Sequence, residues 1–143
     1  MYKRILIPLD HSTTDNVILD HLRPLAKFTG AHLILVHVAD GFGARYQQSL
    51  NLEDSEETKE DLAYLKKRAS ELEGEKFSAN TYLATGEPAD EILAIAEKEK
   101  CDLIAMSTHG HRFLKDFILG SVANNLRHRT SIPILMIRAS AKK

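Results

Sequence analysis

The sequence predicts an α/β fold, a five-stranded parallel sheet with helices on both faces. Two observations carry this. The runs Ile5-Leu-Ile7, Leu33-Ile-Leu-Val36 and Leu103-Ile-Ala-Met106 are continuously apolar, as in strands covered on both sides. Segments with helical spacing fall between the runs, and strands alternating with helices imply parallel pairing through right-handed crossovers.

The first strand is read within Tyr2 to Leu9, ended by Pro8 and Asp10. Ser12, Thr13 or Thr14 can cap the helix that follows. Ile18, Leu22, Leu25 and Ala26 form its apolar stripe, Pro24 should kink it or remove one hydrogen bond, and Gly30 stops it. Leu33 to Val38 is the second strand, and the glycine-containing stretch Gly41 to Leu52 is a crossover loop. A long charged helix spans Glu53 to Leu72, with Leu62, Leu65, Ala69 and Leu72 facing inward and acidic residues in its first turns. Phe77 to Leu83 alternates and reads as a third strand at a sheet edge. After the turn at Gly86, Pro88 opens a helix whose apolar face is Ile92, Leu93, Ile95 and Ala96. Asp102 to Ser107 is the fourth strand, Ser121 to about Arg129 the last helix, Ile132 to Ile137 the fifth strand, and Ala139 to Lys143 a frayed tail.

A chain of 143 residues, 43% hydrophobic and 27% charged, suits one domain over residues 1–143 with a substantial core. A net charge of -1 offers no global attraction to nucleic acid or anionic membrane. No stretch approaches the ~20 apolar residues of a membrane span, and the first apolar run is too short for a signal peptide. The single cysteine, Cys101, excludes an internal disulfide and suits a reducing cytoplasm. It precedes a buried strand and reads as chemically inert.

Chemistry concentrates in Met106-Ser-Thr-His-Gly-His-Arg-Phe-Leu-Lys-Asp-Phe-Ile-Leu-Gly-Ser-Val-Ala123. Nine residues separate Gly110 from Gly120. Glycines admit close approach of backbone N–H groups, and Gly120-Ser121 is read at the mouth of the last helix, where free donors and the dipole favour an anion, above all a phosphate. His111, Arg112 and Lys115 make the stretch basic, partly offset by Asp116. Ligands of parallel α/β sheets sit beyond the carboxyl ends of the strands where strand order reverses. If the first and fourth strands flank that point, Pro8 to Asp10 faces the glycine stretch. Asp10 can cap the first helix, bond a ribose hydroxyl or hold a metal-bound water. His11, His37, His109 and His111 raise a metal question, but no HExxH motif and no cysteine partner accompanies them. A GxxxxGK[ST] loop, a GxSxG elbow and a GxGxxG after the first strand are all missing.

These segments together resemble the universal stress protein family, of its ATP-binding type, over nearly the whole chain. The likeness rests on Ile5-Leu-Ile-Pro-Leu-Asp-His-Ser12, Leu35-Val-His-Val38, Gly86-Glu-Pro-Ala-Asp-Glu-Ile92, Cys101-Asp-Leu-Ile-Ala-Met-Ser-Thr-His-Gly110 and Leu119-Gly-Ser-Val-Ala123. The family's nucleotide motif, Gly-x2-Gly-x9-Gly-Ser/Thr, is matched at Gly110, Gly120 and Ser121. Its first glycine is replaced by Ser107. The resemblance implies the adenine-nucleotide α-hydrolase-like fold with sheet order 3-2-1-4-5. It implies ATP or another adenine nucleotide (AMP, ADP or a cyclic nucleotide), with Mg2+ held mainly by the phosphates. Pro8, Leu9 and Asp10 would border adenine and ribose, and Val38 would touch the base. Met106 and Ser107 would line the floor, and Gly110, His111, Arg112, Gly120, Ser121 and Val122 would surround the phosphates. It also implies a homodimer through Ile132 to Ile137, an apolar edge that would be an aggregation hazard if left bare. The function implied is a cytoplasmic stress-response sensor or regulatory module. Slow ATP hydrolysis or nucleotidyl transfer, assisted by Asp10, His11, His109 or His111, is the enzymatic alternative. A nucleotide-free interaction module is the other.

Overall fold

In the computed structural model, which describes residues 1–40, 53–109 and 116–139, strand and helix alternate as the hydrophobic runs require. The elements are β1 (Arg4–Pro8), α1 (Thr14–Thr29), β2 (His32–Asp40), α2 (Glu53–Gly74), β3 (Ser78–Gly86), α3 (Pro88–Lys98), β4 (Leu103–His109), α4 (Asp116–Arg127) and β5 (Ile134–Ala139). The five strands form one sheet in the order β3-β2-β1-β4-β5, every pair parallel. This is the order implied by the family resemblance.

Successive strand side chains point to opposite faces, and here both faces are covered. Ile5 and Ile7, Leu33 and Leu35, and Leu103 and Ala105 pack against Ile18, Leu19, Leu22 and Ala26 of α1 and Leu65, Ala69 and Leu72 of α2. Leu6, Ile34 and Val36, and Ile104 and Met106 pack against Ala89, Ile92, Ile95 and Ala96 of α3 and Val122, Ala123 and Leu126 of α4. Double coverage is why the strand runs are apolar throughout.

Several local expectations are corrected. Leu62 is 37% exposed and lies outside the core; its spacing fits the stripe of Leu65, Ala69 and Leu72, but the buried packing of that stripe begins only at Leu65. Two others stand: Pro24 lies within α1, and Gly30 at φ +73° closes that helix in the left-handed conformation, the stop expected of it. The third strand runs from Ser78 to Gly86, shifted toward the carboxyl end, and the fifth starts at Ile134, two residues later than the apolar run. The last helix starts at Asp116, five residues before Ser121. Its opening Asp-Phe-Ile-Leu continues the apolar pattern, and the glycine at position 120 does not interrupt it. The loop Gly41 to Leu52 lies outside the described residues.

The sheet's central joint is short. β1 and β2 are registered over five pairs from Arg4↔His32 to Pro8↔Val36, and β4 and β5 over six. β1 and β4 share only Ile5↔Leu103 and Leu6↔Ile104. At the amino end this joint is pinned by Asp102, whose carboxylate accepts from the N–H groups of Lys3 (3.0 Å) and Arg4 (3.1 Å). Toward the carboxyl end the strands part. The Leu9 N–H bonds the Val36 carbonyl at 2.7 Å, so β1 follows β2 and leaves β4.

Leu6 is fully buried in the central strand. Leu6→Ala should cost about 3 kcal/mol of unfolding free energy, whereas Leu62→Ala should cost less than about 1 kcal/mol. Urea unfolding of the two variants beside the parent checks both values.

Candidate functional site

The opening between β1 and β4 is bordered by the residues that leave the sheet on either side. On the β1 side are Pro8, Leu9 and Asp10; Pro8 and Leu9 are buried and Asp10 is half-buried. On the β4 side are Met106 and Ser107, both buried, in register with Met136 and Ile137 of β5. Val38, near the end of β2, is half-buried against the α3–α4 face of the sheet. The order reverses at this place: α1 and α2 close one face, and α3 and α4 the other.

The β1–α1 loop is held by a residue that sequence reading missed. The carboxylate of Asp15, 1% exposed, accepts from the N–H groups of Asp10 (3.0 Å), His11 (3.0 Å) and Ser12 (3.4 Å). It also accepts from the Tyr64 hydroxyl at 2.6 Å. Thr13 occupies the N-cap position without a side-chain cap bond. Of the expected Ser12, Thr13 or Thr14 cap, Ser12 contributes, its hydroxyl accepting from the Thr14 N–H at 3.3 Å, and a first-turn aspartate reaches back and gathers three donors, the logic of a capping box. Burial raises the Asp15 carboxyl from 3.8 to about 6, against the lowering effect of Tyr64 and the backbone donors. Burial first, then Asp15 itself, raises the Tyr64 hydroxyl well above its ordinary value. The signal for Asp15 was an acidic residue in a first helical turn; Tyr64 carried no signal, being one aromatic in a charged helix.

Asp10 is engaged from its own loop, its carboxylate accepting from the Ser12 hydroxyl at 2.5 Å. His11 takes a left-handed backbone with φ +63°, uncommon outside glycine. Its ring stacks on Tyr64, with centroids 4.0 Å apart and planes at 22°. His11 Nδ1 lies 2.9 Å from one oxygen of Asp61, and His37 Nε2 lies 3.4 Å from the other. Opposite, His37 Nδ1 is 2.9 Å from the Leu9 carbonyl. Of the four histidines singled out in the sequence, His11 and His37 thus meet across Asp61. The side chain of His109 and all of His111 lie outside the described residues. Among the described residues no group of three or more His, Cys, Asp or Glu is disposed to hold a metal ion.

The other expected site residues divide. Gly110, His111 and Arg112 lie outside the described residues. Gly120 and Ser121 are the fifth and sixth residues of α4, so the reading of Gly120 at the helix mouth is corrected. In an α-helix the N–H of the fifth residue bonds the first carbonyl. The free donors are therefore those of the turn Asp116 to Leu119, and Gly120 offers a helix surface without a side chain. Val122 turns its buried side chain into the core. The Ser107 hydroxyl is buried with no hydrogen-bond partner among the described residues. Burial pushes the Cys101 thiol up to about 11, which keeps it protonated and agrees with an inert cysteine.

The sign of the Asp15 contribution follows from its raised value. Stability from this group is fully present below pH 3.8 and is lost as pH rises through about 6. An asparagine turns its two-donor amide nitrogen toward N–H groups that the Asp15 carboxyl accepts from, so Asp15→Asn should destabilise by about 2 kcal/mol at pH 5. The gap between parent and variant should narrow by about 1 kcal/mol between pH 5 and pH 7.5. Urea melts at the two pH values measure both quantities.

Comparison with known proteins agrees with the geometry. The model of the universal stress protein family matches residues 1–138. Universal stress protein MJ0577 of Methanocaldococcus jannaschii is 30% identical, with 96% of each chain covered. Its solved structure superposes with a TM-score of 0.85 at 32% identity, covering 99% of both chains. Two more distant structures share the fold. A universal stress protein from Archaeoglobus fulgidus in complex with dAMP has a TM-score of 0.68 at 22% identity, covering 95% of this chain and 98% of its own. A universal stress protein in complex with cAMP has a TM-score of 0.67 at 19% identity, covering 96% and 97%. From the sheet order and its open central joint to the family match along nearly its full length, the chain belongs to the universal stress protein family.

Proposed function

We propose that this protein binds an adenine nucleotide, foremost ATP, across the carboxyl ends of β1 and β4, and that it acts as a cytoplasmic stress-response sensor or regulatory module. The observation that carries the reading is the early parting of β1 from β4 after Leu6↔Ile104, at the point where strand order reverses. The buried Ser107 hydroxyl beside that opening, without a partner among the described residues, is a second support, since a buried polar group without a partner is costly and a ligand oxygen would satisfy it. The adenine ligands of the dAMP-bound and cAMP-bound relatives are a third.

In this reading Pro8, Leu9 and Asp10 border adenine and ribose, and Val38 lies by the base. Met106 and Ser107 form the floor. Gly110, His111, Arg112, Gly120, Ser121 and Val122 surround the phosphates, with donors from the first turn of α4 and the bare face of Gly120 admitting the chain of phosphates. Mg2+ is carried by the phosphates. The N–H groups of Asp10, His11 and Ser12 are taken by Asp15, so this loop meets the nucleotide with side chains and carbonyls.

The dimer of this reading forms along β5, which pairs with β4 on one side and leaves Met136 49% exposed at the other edge of the sheet. An apolar open edge favours pairing with a second copy. Among the described residues no helix is long and apolar enough to cross a membrane.

Isothermal titration with Mg-ATP should detect binding, and Gly120→Val should weaken it at least tenfold. Valine is the better helix former of the two by a few tenths of a kcal/mol, so the circular dichroism spectrum should be unchanged. Equal affinities would refute the placement of the phosphates. Met136→Asp should shift the sedimentation coefficient to that of a monomer; a parent protein already monomeric at micromolar concentration would refute the dimer.

A further inference from the structure

Tyr64 touches the β1–α1 loop in two ways. Its hydroxyl donates to the Asp15 carboxylate at 2.6 Å. Its ring stacks on the His11 imidazole, with centroids 4.0 Å apart and planes at 22°. A third neighbour fixes where the hydroxyl proton goes. Arg68 Nη1 lies 3.3 Å from the Tyr64 oxygen, and the guanidinium carbon lies 5.8 Å from the ring centroid. A guanidinium has only donors, so the oxygen accepts from Arg68 and its own proton is directed at Asp15. The ring is half-buried and packs against the core that α1 and α2 cover. Tyr64 is thus fixed to the body of the protein on one side and to the loop on the other.

The loop depends on such a support. His11 holds φ +63°, a conformation that a residue with a side chain keeps only where its surroundings fix it. Asp15 takes the N–H groups of His11 and of both its neighbours, Asp10 and Ser12. The His11 and Ser12 amides and the Tyr64 hydroxyl share one oxygen of that carboxylate, Oδ2. Tyr64 therefore sets the acceptor on which the loop converges, and its ring sets the plane of His11.

From this geometry we infer that Tyr64 is a positioning residue for the nucleotide, placing Asp10 against the ribose and adenine by holding Asp15 with its hydroxyl and His11 with its ring. The inference rests on the adenine-nucleotide reading of the same site and adds to it a control of affinity from α2. The two contacts are separable. Phenylalanine keeps the stack and loses the bond to Asp15; leucine loses both. In either variant Asp61 still bonds His11 and Asp15 keeps its backbone donors, so the loop shifts without detaching.

The test is calorimetric titration of Mg-ATP at pH 7.5 into the parent protein, Tyr64→Phe, Tyr64→Leu and Leu72→Val, with a urea melt of each. Leu72 is buried about two turns further along α2 and makes no contact with the loop assigned above. Its shortening costs stability without touching the loop, so it reports what general loosening of α2 does to binding. Tyr64→Phe should raise the Kd about fivefold and Tyr64→Leu about twentyfold, while Leu72→Val stays within about twofold of the parent despite a lower urea midpoint. Either Tyr64 variant within twofold of the parent would overturn the role of Tyr64 and leave the nucleotide site standing. A loss in Leu72→Val as large as in Tyr64→Phe would do the same, since the effect would then be one of stability. A parent protein that takes up no adenine nucleotide would overturn the nucleotide reading, and this inference with it.

Discussion

The short joint between β1 and β4 is the constraint from which the rest of the molecule follows. Two registered pairs, pinned below by Asp102, hold the halves of the sheet together. Above them, the Leu9 N–H and carbonyl are both committed to β2, through Val36 and His37. Alternate residues of a strand bond alternate neighbours, so with Leu9 turned to β2 the next bond toward β4 falls to Pro8, which has no N–H to donate. The described helices lie on opposite faces on the two sides of the joint. An opening floored by strand ends is the geometric result.

What borders that opening is set by a buried acid. Asp15 turns three backbone N–H groups inward and takes a fourth bond from Tyr64. The arrangement satisfies donors that a helix start leaves open, and it links the loop to α2. The cost is a carboxyl in a nearly water-free position, visible in its raised pKa of about 6. Asp61 makes a second link from α2, through His11 and His37. Both links leave one face of α2, where Asp61, Tyr64 and Arg68 follow at helical spacing, beside the apolar stripe of Leu65, Ala69 and Leu72. The helix thus packs on the sheet with one stripe and steadies the site loop with the next.

Legibility from sequence differed between the layers of the structure. Strand runs were readable because burial on both faces leaves no polar alternation, and helix ends were readable where Pro88 and Gly30 imposed a backbone preference. The start of α4 was misjudged because Gly120 looked like punctuation, whereas the apolar pattern Phe117-Ile-Leu119 carries the helix through it. Leu62 was misjudged because several positions on a long charged helix fit an apolar stripe and only packing selects among them.

By itself the sequence determined the class of fold, the number and order of its elements, and, through its motifs, the family. Those properties depend on periodicity and on residues close together in the chain. The tertiary structure alone decided how far β1 stays beside β4 and which charged groups meet. Asp15 and Tyr64 are 49 residues apart and His11 and Asp61 are 50 apart, so no local pattern announces either pair. Their contact exists because the sheet register sets α1 and α2 side by side on one face, and burial there makes a carboxylate without partners too costly to tolerate.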